Sequence, residues 1–416
     1  MTTTTRRLNV WRANRLIGTF DQTRSGLRFC YTHESVEHVG LGRPLISTSM
    51  PTSIRPFFDR IVRPYFDGLL PEGEARRIIA YDLRLSEADT FGLLRSLGRD
   101  CAGALAIIPA DDGPPVSESV ATLEPLSPGA LDKLIRNLRF NPLGLDDNLR
   151  VSLAGVQEKL VLTALPGDRW ALPTAAVAST HILKPAITGL DGSATNEALC
   201  LRFAAESGAS AATARVQHLG GRDVLIVARF DRTIDNHGLV HRIHQETACQ
   251  ALSTPVAATA RKYEDSGGPT MHDVAAVARR WTGPEQLDRL LQQLTVNIVV
   301  GNADAHAMNI SFMLQDSTEV HISPLYDVLS TLAYPTLSTT AGMFVNGVSD
   351  VRLVTRDDLV SEAVGWGMPT DRAASVVEAV CRDAGAALDR ACEAIPTAPT
   401  DLVALLCERV ASFSDR

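Results

Sequence analysis

Short runs in which hydrophobic and polar residues alternate stand near the start of the chain and predict a sheet. The predicted strands cover residues 8–11, 16–20, 27–31 and 103–108. Between the third and fourth strands, residues 66–94 have the apolar spacing of a helix, which Pro71 interrupts because proline lacks a backbone donor. We therefore expect residues 1–108 to form a first subdomain of strands and helices.

The middle of the chain repeats this mixture after a break in composition. Pro, Ser, Asp and Gly dominate residues 109–129, which favours a linker there. In residues 130–244 the pattern predicts a glycine-containing turn with a strand, a strand stopped by a proline, a helix and a buried strand. These elements cover residues 151–165, 180–185, 196–207 and 224–230. The segment 130–244 is therefore expected to be a β-rich lobe.

Helical spacing prevails in residues 245–416. One predicted helix presents a single apolar face formed by Leu287, Leu291, Leu294 and Ile298. A small hairpin is predicted at residues 309–314 and 319–322, and the end of the chain is largely alanine-rich amphipathic helix. The pattern as a whole predicts an α+β protein in which a β-rich part precedes a mostly helical part.

Composition indicates a soluble globular protein with more than one domain. The chain has 416 residues, of which 45% are hydrophobic and 21% are charged. No apolar run is long enough to span a bilayer, and the N-terminus lacks the apolar segment of a secretory signal. The seven cysteines are scattered and form no CxxC pair, which favours reduced thiols and argues against a zinc site. We expect a cytoplasmic protein.

Acidic residues outnumber basic ones, and among the basic residues arginine far outnumbers lysine. A net charge of −8 argues against general nucleic-acid binding by the chain itself. Among the 40 basic residues only four are lysines, namely Lys133, Lys159, Lys184 and Lys262. Because arginine is the default cation here, a lysine indicates a place that needs a compact point charge. Lys159 and Lys184 both fall within the predicted β-rich lobe.

The polar loop after the apolar-faced helix carries the clearest chemistry. Four residues separate Asp304 from Asn309, and Asp327 follows the small hairpin. This is the order of the catalytic-loop and metal-binding residues in protein-kinase-like phosphotransferases. A carboxylate there receives or orients the acceptor's proton, while amide and carboxylate oxygens suit Mg²⁺. The spacing alone also fits a polar loop whose Asp and Asn side chains cap backbone groups.

Two upstream motifs fit the nucleotide half of such a site. Lys184 ends a short strand and Glu197 begins the next helix, as the phosphate-binding lysine and its glutamate do in kinases. Taken alone, this pair also fits an ordinary surface ion pair. The small-residue turn at 152–159 can lay backbone N–H groups against phosphates, or be a plain β-turn. The order of these motifs along the chain predicts a nucleotide cleft between a β-rich lobe and a helical lobe.

With these motifs the chain resembles the HipA family of serine/threonine-kinase toxins over nearly its full length. The motifs that carry the resemblance are Phe66-Asp-Gly-Leu-Leu-Pro-Glu-Gly73, Gly98-Arg-Asp100, Gly103-Ala-Leu105, Ser152-Leu-Ala-Gly-Val-Gln-Glu-Lys159, His181-Ile-Leu-Lys-Pro185, Asn196-Glu197, Arg229-Phe-Asp-Arg232, His244-Gln-Glu246, Tyr263-Glu264 with Gly267-Gly-Pro269, Asn302-Ala-Asp-Ala-His306 and Pro324-Leu-Tyr-Asp327. The resemblance implies a protein-kinase-like two-lobed fold with an extra N-terminal subdomain, and the use of ATP and Mg²⁺.

The resemblance also implies a role for each matching residue. Asp304 would be the catalytic base, Asn309 and Asp327 would hold Mg²⁺, and Glu197 would pair with Lys184. The residues implied in ATP binding are Ala154, Gly155, Val156, Gln157, Glu158, Lys159, Lys184, Ala228, Arg229, Phe230, His306 and Asn309. Ser152 matches the family's autophosphorylated serine, and a phosphate there is expected to expel the loop by like-charge repulsion and stop ATP binding.

Two positions depart from the family's pattern. Ala228 stands where the family usually has an acidic residue, so one adenine or ribose contact is expected to differ. Met308 stands where the family's catalytic loop often has a lysine, which removes a charge near the transferring phosphate. Because the acceptor and metal residues all match, we still expect an active kinase.

A pair of histidines suggests a different chemistry. His241 and His244 have an i,i+3 spacing that would suit a metal ion if they lay on a helix. The resemblance instead places them at the edge of the hinge, so metal binding there is the less favoured interpretation.

The favoured interpretation is a serine/threonine protein kinase toxin. The resemblance implies neutralisation by a small helix-turn-helix antitoxin of the HipB type, and contact with operator DNA through that complex. The family's known targets include an aminoacyl-tRNA synthetase, whereas the protein substrate of this chain cannot be read from its sequence. Two alternatives remain open: a non-catalytic co-repressor with a kinase fold, which predicts no phosphoryl transfer, and a small-molecule or lipid kinase, which predicts turnover on metabolites.

Overall fold

The computed structural model describes residues 6–143, 152–155, 157–256, 261–315 and 319–414. In the first unit the strands are β1 (Arg6–Arg12), β2 (Arg15–Thr23), β3 (Gly26–Tyr31), β4 (Phe57–Phe58) and β5 (Leu105–Pro109), and the helices are α1 (His33–Val39), α2 (Asp59–Asp67), α3 (Gly73–Asp82) and α4 (Thr90–Leu97). The strands form one antiparallel sheet in the order β4-β3-β2-β1-β5. Phe20 of β2 stacks on Phe66 of α2 with ring centroids 4.1 Å apart. Aromatic side chains therefore fill the core between the sheet and the helix that packs on it. The four strands predicted here are confirmed.

The helical spacing over residues 66–94 belongs to parts of three helices, and the predicted interruption at Pro71 is confirmed, because Pro71 lies in the turn between α2 and α3. A second break, between α3 and α4, was not predicted. Helix α2 begins upstream of the predicted start, and α4 begins where the Asp89 side chain accepts the N–H of Gly92. The turn between α2 and α3 carries Leu69 and Leu70, which are fully buried. Because apolar turn residues also pack into the core, the apolar spacing continues through the turns. The sequence pattern therefore does not show where each helix begins and ends.

The second unit is built on another five-stranded antiparallel sheet. Its elements are α5 (Pro128–Asn137), β6 (Leu160–Leu165), β7 (Arg169–Ala171), β8 (His181–Pro185), α6 (Ser193–Glu206), β9 (Ala214–Leu219) and β10 (Arg222–Ala228), and the hairpin β11 (Arg232–Ile234) with β12 (Val240–Arg242) follows. The strand order in the sheet is β7-β6-β8-β10-β9. Lys184 on β8 is paired with Leu225 on β10, at the centre of the sheet. The strands and the helix predicted for this segment are confirmed.

The third unit is mostly helical. Its elements are β13 (His244–Thr247), α7 (Ala248–Ala251), α8 (Met271–Trp281), α9 (Pro284–Val300), β14 (Ser311–Leu314), β15 (Val320–Ile322), β16 (Thr340–Val345), β17 (Val348–Asp350), α10 (Arg356–Gly365), α11 (Thr370–Arg382), α12 (Ala384–Ala394) and α13 (Thr400–Ser414). Helix α9 buries the predicted face of Leu287, Leu291, Leu294 and Ile298 in a large core. In the described ranges, no helix has both the length and the apolar character needed to cross a membrane.

The first unit is bonded to both of the others. Toward the second unit, the Asp100 carboxylate accepts the Ser179 N–H at 2.9 Å. Toward the third unit, the Thr48 N–H and hydroxyl both donate to Glu246 Oε1 at 2.7 Å, and the Arg12 guanidinium donates to the Leu314 carbonyl at 2.7 Å. All of these residues are buried. The first unit therefore braces the junction between the sheet-based and the helical unit, where the cleft lies.

Candidate active site

A cavity of about 560 Å³ lies between the sheet of the second unit and the helical unit. The second unit contributes the turn before β6, strands β8 and β10 and the segment that follows β10 to its walls. The helical unit contributes β13, Lys262 and the loops around residues 304–309 and 326–329, and the first unit contributes Gly68, Glu72 and Ala102. The described residues predicted for nucleotide, metal and base all line it, and the predicted cleft is thereby located. Val156 lies outside the described residues.

Lys184 is the electrostatic centre of the cavity. Its ammonium donates to Glu197 Oε1 at 2.8 Å and to Asp327 Oδ1 at 2.6 Å. Burial opposes a charged lysine, but the two carboxylates outweigh it and hold the pKa of Lys184 above its usual value. Burial would likewise raise the pKa of Asp327, and the Lys184 ammonium instead lowers it to about 2. The lysine and Asp327 are therefore both charged near neutral pH.

Asn196 fixes the helix that carries Glu197 to the segment that follows Asp327. The Asn196 amide donates to the Ser330 carbonyl at 3.0 Å and accepts the Ser330 N–H at 2.8 Å. This two-way bond is fully buried. The two carboxylates that hold Lys184 are thus fixed relative to each other by backbone recognition, in addition to their shared lysine.

The Asp304 loop begins where α9 ends in a left-handed glycine, Gly301, with φ 71°. The buried side chain of Asn302 donates to Asn297 Oδ1 at 2.7 Å and accepts the Asp304 N–H at 3.0 Å. This bond turns the loop so that Asp304 is exposed at the cavity wall. An exposed carboxylate on a rigid turn can receive a proton from an incoming hydroxyl.

Asn309 and Asp327 present oxygen atoms that suit Mg²⁺. The Asn309 amide nitrogen donates to the Asp304 carbonyl at 3.1 Å, which leaves its amide oxygen for a ligand. Asp327 stands at φ 60°, a strained conformation for a residue other than glycine and one that is typical of functional sites. No group of three or more His, Cys, Asp or Glu side chains that could hold a metal ion occurs in the described part of the chain. One carboxylate and one amide nevertheless fit Mg²⁺, which completes its shell with water and phosphate oxygens.

The turn at 152–159 has the predicted position but an unexpected partner. The Gly155 N–H donates to Glu72 Oε1 at 2.9 Å, and Lys159 donates to the Ala154 carbonyl. Burial, followed by the nearby Lys184 charge, lowers the pKa of Lys159 to about 8. Glu72 belongs to the first unit, so a residue of the N-terminal subdomain reaches the predicted phosphate loop.

The neighbouring residues of this turn are held by the sheet. Gln157 donates to the Pro185 carbonyl at 3.2 Å, and Glu158 forms an ion pair with Arg222 at 3.3 Å. Both residues still line the cavity. The turn is thus fastened to β8 on one side and to β10 on the other.

Residues 228–230, which were predicted to form the adenine hinge, lie at the cavity wall at the end of β10. The Ala228 N–H donates to the Thr213 carbonyl, and the Arg229 guanidinium is buried against Asp231 at 2.9 Å. The Arg229 side chain is therefore a structural ion-pair partner and does not face a nucleotide. Phe230 lines the cavity, with its ring centroid 5.4 Å from that of Tyr326. The apolar contribution of the hinge comes from Phe230.

His306 is buried inside the loop between Asp304 and Asn309. Burial lowers its pKa below the usual value, so the ring is neutral. Its Nδ1 atom has no hydrogen-bond partner within the described residues. A cavity of about 20 Å³ beside it, also lined by Asn297 and Asn302, has room for one water molecule. His306 therefore supports the loop from beneath as well as lining the cleft.

Ser152 lies outside the cavity lining. Its hydroxyl donates to the Leu69 carbonyl at 2.6 Å, its N–H donates to the Asp100 carbonyl at 3.0 Å, and the residue is fully buried. The predicted modification site is therefore packed against the first unit, two residues before the loop residue Ala154.

The histidine pair does not form the helical metal site considered from its spacing. His241 lies on β12 and its Nε2 contacts Asp235 at 2.8 Å. His244 lies on β13, where its Nε2–H donates to the Ile46 carbonyl at 2.8 Å and its Nδ1 accepts the Ala104 N–H at 3.2 Å. Each imidazole already has a partner other than the second histidine.

Three residues at the site were not assigned a role from the sequence: Glu72, Lys262 and Tyr263. The Tyr263 hydroxyl donates to Asp304 Oδ1 at 2.8 Å, and Lys262 contacts Glu72 Oε2 at 3.5 Å. Glu72 and Tyr263 occur within the motifs that carry the family resemblance, and Lys262 is one of only four lysines. Those signals were visible, but nothing local in the sequence connects residue 72 with residue 262.

Two protein-family models match the chain. Residues 8–108 match the HipA N-terminal domain, and residues 151–388 match the HipA-like C-terminal domain. The chain is 39% identical over 395 residues to the kinase-family protein Y4mE of Sinorhizobium fredii, covering 91% of this chain and 92% of that one. The chain belongs to the HipA family.

A sequence match and a solved structure of HipA from Shewanella oneidensis define what the likeness covers. The serine/threonine-protein kinase toxin HipA of Shewanella oneidensis is 28% identical over 373 residues, or 83% of each chain. A solved structure of Shewanella oneidensis HipA with HipB and operator DNA has a TM-score of 0.82 at 24% identity, covering 98% of this chain and 96% of that one. This likeness confirms the predicted kinase-like α+β fold. Membership of the HipA family confirms the predicted class of enzyme, a serine/threonine protein kinase.

Proposed function

We propose that this HipA protein transfers the γ-phosphate of ATP to a serine of a protein substrate. The observation that carries the proposal is the position of Lys184, which lies 2.8 Å from Glu197 and 2.6 Å from Asp327 at the wall of the cavity. A lysine held between two carboxylates keeps both its charge and its direction. Such a fixed point cation beside an acidic residue suits a polyphosphate with its metal ion.

The cavity has an apolar end and a charged end, which sets the direction of the nucleotide. Ile182, Val227 and Phe230 line the end next to the hinge, where the adenine ring would lie. Lys159 and Lys184 line the other end, where the phosphates would lie. The turn from Ala154 to Lys159 would cover the phosphates once the Gly155 N–H exchanges Glu72 for a phosphate oxygen.

Asp304 is the proposed base. The serine oxygen forms a bond to the γ-phosphorus, the bond from that phosphorus to the β,γ-bridging oxygen breaks, ADP leaves, and the serine proton passes to Asp304. Mg²⁺, held by the oxygens of Asn309 and Asp327, would supply neutralisation of the β- and γ-phosphate charges. The chain's own part is to keep Asp304 exposed on a rigid turn while Lys184 fixes the phosphates.

The experiment that tests this function compares the wild type with Asp304→Asn. We expect growth arrest in cells from the wild type alone, and new phosphoserine-containing proteins that are absent with the variant. Equal arrest by both chains without a new phosphoprotein would instead support a co-repressor. Turnover of ATP on metabolites in place of proteins would support a small-molecule kinase.

Ser152 is the proposed self-inactivation site. A phosphate of about −1.5 to −2 charges cannot remain in the buried place where the hydroxyl donates to the Leu69 carbonyl, because that carbonyl is itself an acceptor. Phosphorylation would therefore release Ser152 and, two residues on, Ala154 of the phosphate loop. Mass spectrometry after incubation with ATP should find phosphoserine at position 152 in the wild type and not in Asp304→Asn. Active enzyme that never acquires this phosphate would exclude the switch.

The partner and the compartment are proposals that rest on the relatives. The solved Shewanella oneidensis complex contains HipA, HipB and operator DNA. We propose a corresponding small helix-turn-helix antitoxin for this chain, with operator DNA bound through that complex, in the cytoplasm. Co-expression with a small helix-turn-helix antitoxin of the HipB type should rescue growth, and co-purification from that strain identifies the complex.

A further inference from the structure

Three of the four lysines in the chain line the cavity, namely Lys159, Lys184 and Lys262. The charge of Lys184 is engaged by two carboxylates, and Lys159 donates to the Ala154 carbonyl. Lys262 contacts Glu72 at 3.5 Å, a longer distance than either ion pair of Lys184. Arginine is the usual cation of this chain. Three lysines at one cavity therefore indicate that compact cations are needed at three separate points.

Lys262 enters the cavity on the side of the proposed base. Its neighbour Tyr263 donates to Asp304 Oδ1 at 2.8 Å, so the backbone places Lys262 next to a residue that holds the proposed base. The turn that follows is rigid, because the Gly268 N–H donates to the Tyr263 carbonyl at 2.9 Å and the Glu264 carboxylate accepts the Phe344 N–H at 2.7 Å. The backbone that follows Lys262 is therefore held in place, which limits where the lysine side chain can point.

The loop from residue 301 to residue 309 brings no lysine or arginine of its own to the acceptor side. Met308 is buried in it. The fourth cation of the cavity wall, Arg229, is engaged with Asp231. A phosphoryl group in transfer carries charge on its three equatorial oxygens, and cations placed at those oxygens are a main source of catalysis.

We propose that Lys262 contacts the phosphoryl group during its transfer and supplies the positive charge that the Asp304 loop does not carry. Glu72 holds the lysine until then. The same carboxylate accepts the Gly155 N–H at 2.9 Å, so it joins two groups that both suit a phosphate oxygen. Nucleotide binding takes the Gly155 N–H from Glu72, and the phosphoryl group takes Lys262 only as it is transferred. This inference rests on the proposed kinase function and assigns one more residue to it.

The test measures phosphoryl transfer and nucleotide affinity separately in the purified chain. Lys262→Met is expected to lower kcat by about 10²–10³-fold, as the loss of one transition-state donor does, while the Kd for MgATP changes by no more than a few fold. Lys262→Arg should restore part of kcat. Lys133→Met, at an exposed lysine of α5, is the matched control and should behave as wild type.

A second variant distinguishes a loss of catalysis from a loss of folding. Lys262→Met leaves Glu72 without its cation, so Glu72→Gln/Lys262→Met removes the unpaired carboxylate and should recover thermal stability without recovering kcat. A wild-type kcat in Lys262→Met, or full recovery of kcat in the double variant, overturns this proposal while the kinase function stands. A wild-type chain that transfers no phosphate to any protein overturns the kinase function, and this proposal with it.

Discussion

The Tyr263 hydroxyl donates to Asp304 Oδ1 at 2.8 Å, and the Tyr263 ring stands edge-on to His306 with centroids 5.0 Å apart. One carboxylate oxygen of the proposed base is thereby held, and the other remains for the acceptor. Tyr263→Phe keeps the ring contact and removes the hydrogen bond. We expect kcat to fall by about 3–10-fold, the effect of one hydrogen bond, with the Kd for MgATP unchanged. An increase in kcat would mean that Tyr263 blocks the acceptor and does not position the base.

Lys184 carries a stability effect that can be separated from catalysis. Its partner Glu197 is 5% exposed, so removal of the lysine leaves a buried carboxylate without compensation. Lys184→Met should lower the free energy of unfolding by about 3 kcal/mol in urea titrations, and Lys184→Met/Glu197→Gln should recover at least half of that loss. The exposed Lys133→Met is the control. A single variant as stable as the wild type would show that the ion pairs add nothing to folding.

Gly342 lies against the backbone of the Asp304 loop. A Cβ atom there would stand 2.9 Å from Ala305 and His306 backbone atoms, which leaves no flexible side chain to give way. Gly342→Ala should displace the loop and lower kcat by about 10²-fold, the cost of a displacement of about 1 Å, with a smaller effect on MgATP affinity. Gly365→Ala on α10 is the control, because nothing lies within 4 Å of the added atom. Unchanged kcat in Gly342→Ala would mean that the loop tolerates the shift.

His244 gives the stability of the fold a pH dependence of definite sign. Burial lowers its pKa to about 3, and Nδ1 already accepts the Ala104 N–H, so the folded state resists protonation. The unfolded chain takes up this proton near pH 6.5. Neutral His244 therefore makes its full contribution to the free energy of unfolding above pH 6.5. Below that, the free energy of unfolding falls by about 1.4 kcal/mol per pH unit until the pH reaches about 3.

Urea titrations at pH 7, 6 and 5 measure this dependence. His244→Gln should be less stable than wild type at pH 7 and should lose less stability between pH 7 and pH 5. His272→Gln, at an exposed histidine of α8, is the control and should follow the wild type. If the free energy of unfolding changed equally with pH in wild type and His244→Gln, then His244 would not be the source of the pH dependence.

The strongest sequence predictions came from residues whose role shows in their order along the chain. Asp304, Asn309 and Asp327 were placed by spacing, and Lys184 with Glu197 by the strand and helix that carry them. The structure brings all five to one cavity. Elements with a regular period, such as α9 and β10, were equally accessible, because burial on one face leaves a periodic trace in the sequence.

The contributions that the sequence hid are those made by packing between distant segments. Glu72 reaches Gly155 and Lys262 across 83 and 190 residues of chain, and no local pattern encodes such a meeting. The direction of the Arg229 side chain was hidden for a related reason. Its place in the hinge strand suggested a nucleotide contact, but its direction is decided by Asp231 and Ser179 on the buried side.

The contacts of the first unit with both sides of the cleft have a consequence for turnover. Asp100 is fastened to Ser179 on one side, while Thr48 and Arg12 are fastened to Glu246 and Leu314 on the other. Any rocking of one lobe against the other has to break hydrogen bonds between buried residues. The first unit also contributes Glu72 to the cavity wall, so it both braces the two lobes and touches the site. We therefore expect substitutions at these bracing contacts to change the rate at which the cleft opens, even when every residue of the cleft stays the same.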